Sequence, residues 1–232
     1  MNSTVPVSRV HSAHLPLIGV MAALAMALLW FIGHKAHYLT DYSLASFTDY
    51  FWPRRAGLIL HLIGGLLAIL AGLVQIWLGL THRVSVLHRV LGKFYAFGVL
   101  LGSLGGFYLA FTIPGHLPYR TGLIGLNVAW LITTGMALYS IRQRCIEQHR
   151  EWMLRSYIVT FAFVTYRLVS GWLRRWIDVP QDPVADDIDI IMAWACWAVP
   201  LLLAEPLIQL RYRGSGGRYG LPRLRQPVGV EQ

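Results

Sequence analysis

The sequence predicts an all-α integral membrane bundle of six transmembrane helices with both termini cytoplasmic. Three observations predict it. The 232 residues are 56% hydrophobic and only 13% charged, where water-soluble domains carry about 25% charge. The apolar residues gather into runs of the roughly 20 residues needed to cross hydrocarbon. The basic residues collect in alternate connections between those runs, the pattern of the positive-inside rule.

In order, the six segments are 15–33, 56–80, 89–113, 122–141, 152–173 and 188–210. The first has features of a signal peptide, because Arg9 precedes an apolar core and Ala25-Met-Ala27 resembles a cleavage site. Its apolar run continues through Leu28 to Ile32, which favours a retained anchor. Orientation follows from Lys and Arg. Arg9, Arg83, Arg89, Lys93, Arg142, Arg144, Arg150, Arg155, Arg211, Arg213, Arg218, Arg223 and Arg225 fall on one side. Lys35, Arg54, Arg55, Arg120, Arg174 and Arg175 fall on the other. Thirteen against six places both ends, and the larger set, in the cytoplasm of a cell whose inner membrane holds the protein.

The connections carry their own signals. Tyr38, Tyr42, Phe47, Tyr50, Phe51 and Trp52 crowd the first outer loop, and Trp172 and Trp176 flank the third. Amphipathic rings settle at headgroup level, so these read as an aromatic belt. The acidic stretch 178–189 has no spacing suited to a cation and reads as a solvated turn. Residues 1–210 form the membrane domain, with a core over 56–173, and the basic Gly/Pro-rich tail 211–232 reads as disordered.

Two stripes of small residues define the packing. Gly98, Gly102 and Gly106 recur at every fourth position of the third segment; Gly64, Ala68 and Gly72 do so in the second. Such stripes let backbones approach where water gives no drive for association. They predict a tight crossing of the second and third segments, or, as the competing use, a homo-oligomer interface.

Depth along each helix sorts the polar residues into two layers. An inner layer holds His88, Arg89, His149, Arg155 and Glu205; an outer one holds His61, Asn127 and Arg167. A charged group in hydrocarbon costs at least about 2.5–3.5 kcal/mol, so Arg167 needs a partner or a wet cavity. Paired imidazoles from two helices can hold a haem iron. On that expectation His88 and His149 are the metal ligands of an inner b-type haem, with Arg89, Arg150 or Arg155 offsetting its propionates. The competing use of these groups is at the membrane boundary, facing anionic headgroups and setting topology. For His61 the alternatives are a buried hydrogen-bonded imidazole and part of an outer cavity for a quinone-like or anionic ligand. Transport through the two layers, and a structural or partner-binding subunit, are rival functions.

The composition also excludes some classes. The net charge of +9 belongs to loops and tail between apolar runs, where lipid headgroups account for it better than nucleic acid does. Cys145 and Cys196 are too few for a disulfide framework, and no Cys-x-x-Cys-His attaches a c-type haem. Hydrolase and nucleotide motifs are lacking.

His61-x-x-Gly64 leading to Gln75, then Leu87-His-Arg-x-x-Gly-x-x-Tyr95, then His149-Arg-x-Trp-Met-x-Arg-Ser-Tyr157 with Thr160 and Arg167, form a specific set. The set resembles the domain-of-unknown-function 2306 family of predicted bacterial membrane proteins over about residues 56–173. That resemblance implies a multi-helix membrane protein and supplies no activity. The placement of the histidines also resembles the two-haem ascorbate-type b cytochromes in architecture. His116 departs from that plan, lying in a loop beside Pro114, Gly115 and Pro118. His88-Arg89 with Tyr95, and His149-Arg150 with Tyr157, further echo one another after basic turns.

Overall fold

The computed structural model of the chain describes residues 25–81 except 27, 31 and 35, then 86–179 and 185–213. Described residues between 25 and 34 are helical. Two short helices follow, α1 (His37–Thr40) and α2 (Leu44–Phe51), and a 3₁₀ turn, Trp52–Arg54. The long helices are α3 (Arg55–Leu80), α4 (Val86–Thr112), α5 (Leu117–Arg142), α6 (Ile146–Thr160), α7 (Ala162–Leu173) and α8 (Asp187–Arg213). No strand occurs among the described residues.

Among the described residues, four stretches are long and apolar enough to cross a membrane: Leu44–Gly79, Val86–Thr112, Leu117–Arg142 and Asp187–Leu210. Their outward faces are aliphatic and aromatic, with Leu202 and Leu203 of α8 at 72% and 70% exposure, as a lipid-facing surface requires. Most of the first predicted segment, and the tail beyond Arg213, lie outside the described residues. The segment predicted at 152–173 is two helices meeting at Phe161 (φ −80°, ψ −4°), and it begins earlier, at Ile146. Glu147 in its first turn complements the helix dipole there.

The predicted crossing of the second and third segments is present as α3 against α4. A Cβ on Gly64 would stand 2.2 Å from the Gly102 backbone nitrogen. One on Gly98 would reach the Ala68 nitrogen at 2.8 Å, and one on Gly105 the His61 nitrogen at 2.5 Å. The Gly stripe of α4 is therefore consumed inside the chain. Packed behind it, Tyr95, Val99, Trp130, Tyr157 and Val159 form the main core.

Two connections differ from the sequence reading. Phe47 is fully buried with Leu58, Leu109 and Ile113 instead of joining an aromatic belt. Tyr38 and Tyr42 meet its ring edge-on, at 5.3 and 5.6 Å, so the short helices fold over that end of the bundle. The acidic stretch is likewise more than a solvated turn where it is described. Arg174 bonds both oxygens of Asp186 and lies 2.9 Å from Asp189, and Asp186 accepts the Asp189 backbone N–H at 2.9 Å. Burial draws the Arg174 guanidinium down, but its bonds to Asp189 and Asp186 outweigh this and hold it above its usual range. This knot fixes the start of α8 against the end of α7.

Candidate functional site

His61, Asn127 and Arg167 line one cavity of about 290 Å³ near the Arg54 end of the bundle. Its wall is otherwise mostly aliphatic and aromatic, including Leu62, Leu66, Ile69, Leu109, Leu126 and Phe163. α3, α4, α5 and the α6–α7 pair each contribute. Leu28, Ile32 and Ala36, ahead of α1, cover one side.

The polar groups are held by the backbone of these helices. His61 sits where α3 crosses the glycines of α4, and its Nδ1 lies 2.8 Å from the Gly102 carbonyl. A carbonyl only accepts, so Nδ1 carries the proton. Phe163 meets the imidazole edge-on at 5.4 Å. Asn127 is buried, and its amide nitrogen donates to the Leu123 carbonyl at 2.9 Å. Its oxygen occupies the space a Cβ on Gly106 would need. Arg167 is exposed, lies over the Tyr166 ring at 5.3 Å, and forms no ion pair among the described residues. Its charge reaches the rim, where burial pushes the Tyr38 phenol above its usual range against the pull of Arg167.

Beneath the cavity lies a hydrogen-bonded core spanning three helices. The Tyr95 hydroxyl lies 2.6 Å from Ser156 Oγ and 2.8 Å from Thr160 Oγ1. Trp130 Nε1 donates to Thr160 Oγ1 at 2.8 Å, and Thr134 Oγ1 meets Ser156 Oγ at 2.6 Å. Thr160 and Trp130 also line the cavity. Sequence reasoning singled out Tyr95 and Thr160 but missed Ser156, Thr134 and Trp130 as their partners. The α5 spacing of Trp130 and Thr134 (i, i+4) put both on one face and was the available signal.

The inner-layer residues divide. His88 lies in the first turn of α4 and His149 in the first turn of α6. His149 Nδ1 lies 2.9 Å from the Ala137 carbonyl, and Gln75 donates to the His88 carbonyl. His88 Nδ1 is buried with no hydrogen-bond partner among the described residues. Arg89 is exposed. Arg155 is buried and committed elsewhere: Nε and Nη2 bond the two Glu205 oxygens at 3.0 and 2.8 Å, and Nη1 reaches Glu151 at 3.4 Å. Gln209 supports Glu205 at 2.8 Å, and the guanidinium lies 4.9 Å from the Trp152 ring centre. Glu151, four residues before Arg155, was legible as an i, i+4 partner and was overlooked. Among the described residues, no three His, Cys, Asp or Glu side chains converge on a metal position.

A family model described as "Predicted membrane protein (DUF2306)" matches residues 58–208. No curated protein and no solved structure matches the chain.

Proposed function

We propose that this chain, which belongs to the DUF2306 family of predicted membrane proteins, is a membrane-embedded binding protein for a lipid-soluble small molecule. The observation that carries the reading is the cavity of about 290 Å³, apolar except for His61, Asn127, Arg167 and a few hydroxyls at its ends. Small-molecule sites are typically concave and mainly apolar, roughly 300–1,000 Å³, with a few convergent polar groups. The reading includes the finer topology: six spans, the α6–α7 pair as the fifth, both termini cytoplasmic and the cavity in the outer half. The thirteen-to-six division of basic residues supports that orientation.

Gly65 supplies the test. It lines the cavity, and a Cβ there would meet no atom within 4 Å. Gly65→Phe is therefore expected to fill the space while leaving the fold intact. Solvent extracts of purified wild-type protein, analysed by mass spectrometry, should contain a retained apolar molecule near one per chain. The variant should retain several-fold less at an unchanged melting temperature. Equal retention in both would rule out the cavity as the site.

Haem b between α4 and α6 is the second reading. Favouring it are the unpartnered His88 Nδ1 and the His149 Nδ1 on a backbone carbonyl, the arrangement that orients a ligating imidazole. Arg155, tied to two carboxylates, would not serve the propionates. Dithionite-reduced protein should then show a sharp Soret and α band, lost together in His88→Ala and His149→Ala. A featureless spectrum from haem-replete cells sinks this reading.

A further inference from the structure

We infer that the cavity takes an amphiphile with an anionic head, a carboxylate or phosphate held by Arg167, with its apolar chain lying along the cavity. The inference rests on the ligand cavity proposed above. What carries it is the contrast between Arg167 and the other arginines at that end of the bundle.

Arg54 gives N–H groups to the Thr112 and Tyr50 carbonyls at 2.8 and 2.6 Å. Arg120 gives two to the Ala110 and Phe111 carbonyls at 3.1 and 2.7 Å, so the pair closes the end of α4. Arg55 holds the Tyr42 hydroxyl and the Trp52 carbonyl, and Arg174 is tied to Asp186 and Asp189. Arg167 makes neither a hydrogen bond nor an ion pair among the described residues, and its guanidinium rests over the Tyr166 ring. Asp189 is already taken by the Tyr166 hydroxyl and by Arg174. Arg167 lines the cavity, and no Asp or Glu does so among the described residues. Its charge acts on the phenol of Tyr38, another residue of the wall.

A guanidinium keeps its charge at any physiological pH, and a charge within a span normally faces a counter-charge or water. Its planar fork of N–H groups matches a carboxylate or phosphate in two-pronged contact. The chain of such a ligand has room beyond the head. Arg167 and Thr160 both line the cavity, seven residues or about 10 Å of helix apart, and Leu66, Ile69 and Leu126 belong to the same wall. The head stays at Arg167, because a carboxylate drawn deeper would lose its water without gaining a counter-charge. A neutral ester or alcohol of the same chain gains the apolar contact but not the charge pair.

The test titrates purified protein, in a non-ionic detergent at mildly alkaline pH, with dodecanoate, methyl dodecanoate or dodecanol. Native mass spectrometry counts the ligands retained per chain. Dodecanoate should bind about tenfold or more tightly than either neutral compound. Arg167→Gln should bring it down to their level and leave theirs unchanged, and Gly65→Phe should remove retention of all three. Added phosphatidylglycerol identifies the source of the head: displacement of dodecanoate points to bilayer lipid, no displacement to a free acid, and both uphold the inference. Equal affinity for the three compounds, as a carboxylate already paired with Arg167 would give, overturns the inference and leaves the cavity a ligand site. So does a preference for dodecanoate that survives Arg167→Gln. Binding of none of them, or retention unaffected by Gly65→Phe, overturns the inference together with the reading it rests on. If Arg167→Gln does not fold, the ranking on wild-type protein decides alone.

Discussion

Gly64→Leu is expected to abolish accumulation of folded protein, while Gly65→Ala, one residue on, is expected to leave yield and melting temperature unchanged or slightly raised. At Gly64 even the first added carbon would stand 2.2 Å from the Gly102 nitrogen and 2.6 Å from its Cα. These are backbone atoms of another helix, so no rotamer change relieves the overlap. Overpacking a core usually costs about 1–3 kcal/mol where side chains can move. Here whole helices must separate, and the loss exceeds about 3 kcal/mol, a large share of typical stability. At Gly65 the same carbon meets nothing within 4 Å, and alanine gains up to about 1 kcal/mol of helix propensity. Size-exclusion profiles and thermal melts in one detergent compare the pair. Equal behaviour would mean that α3 and α4 are not in this contact.

Arg155→Ala is expected to cost about 3 kcal/mol, seen as a lowered melting temperature and freer proteolysis of the end of α8. The guanidinium side chain is only 11% exposed, as is that of Glu151, whereas Glu205 is 43% exposed. Removing it leaves one carboxylate nearly buried without its counter-ion, which sets the low end of the cost of breaking a buried pair. Arg155→Lys keeps the charge but not the two-pronged contact with Glu205 and should fall between. Arg150→Ala is the contrast. Its contact with Glu147 joins side chains at 38% and 63% exposure, and such pairs are worth about 0–1 kcal/mol. A loss at Arg150 matching that at Arg155 would contradict the burial that distinguishes them.

What was legible in the sequence was whatever repeats along a helix. Apolar runs gave the helical class and the four long spans that the structure bears out, and the four-residue glycine spacing gave the α3–α4 crossing. The placement of His61, Asn127 and Arg167 at one level could be read because helix rise converts residue number into depth. Azimuth could not be read in the same way. Nothing in the spacing of Ser156 says that it turns toward Thr134 on another helix, and Arg155 was assigned to a layer without its choice of Glu205 and Glu151 over an open site. The break at Phe161 left no mark either, since no Gly or Pro lies between Arg150 and Val169. Phe47 was misread because an aromatic residue in a loop looks the same whether it rests among headgroups or plugs the end of a bundle.

The hydroxyl core under the cavity has one more consequence. Tyr95, Ser156, Thr160, Thr134 and Trp130 knit α4, α5 and α6 together, and two of the five are also cavity wall. On the binding reading proposed above, Thr160 and Trp130 would set how deep a ligand can sit, because each is already held by a hydrogen bond and neither can swing aside without breaking the contact between α5 and α6.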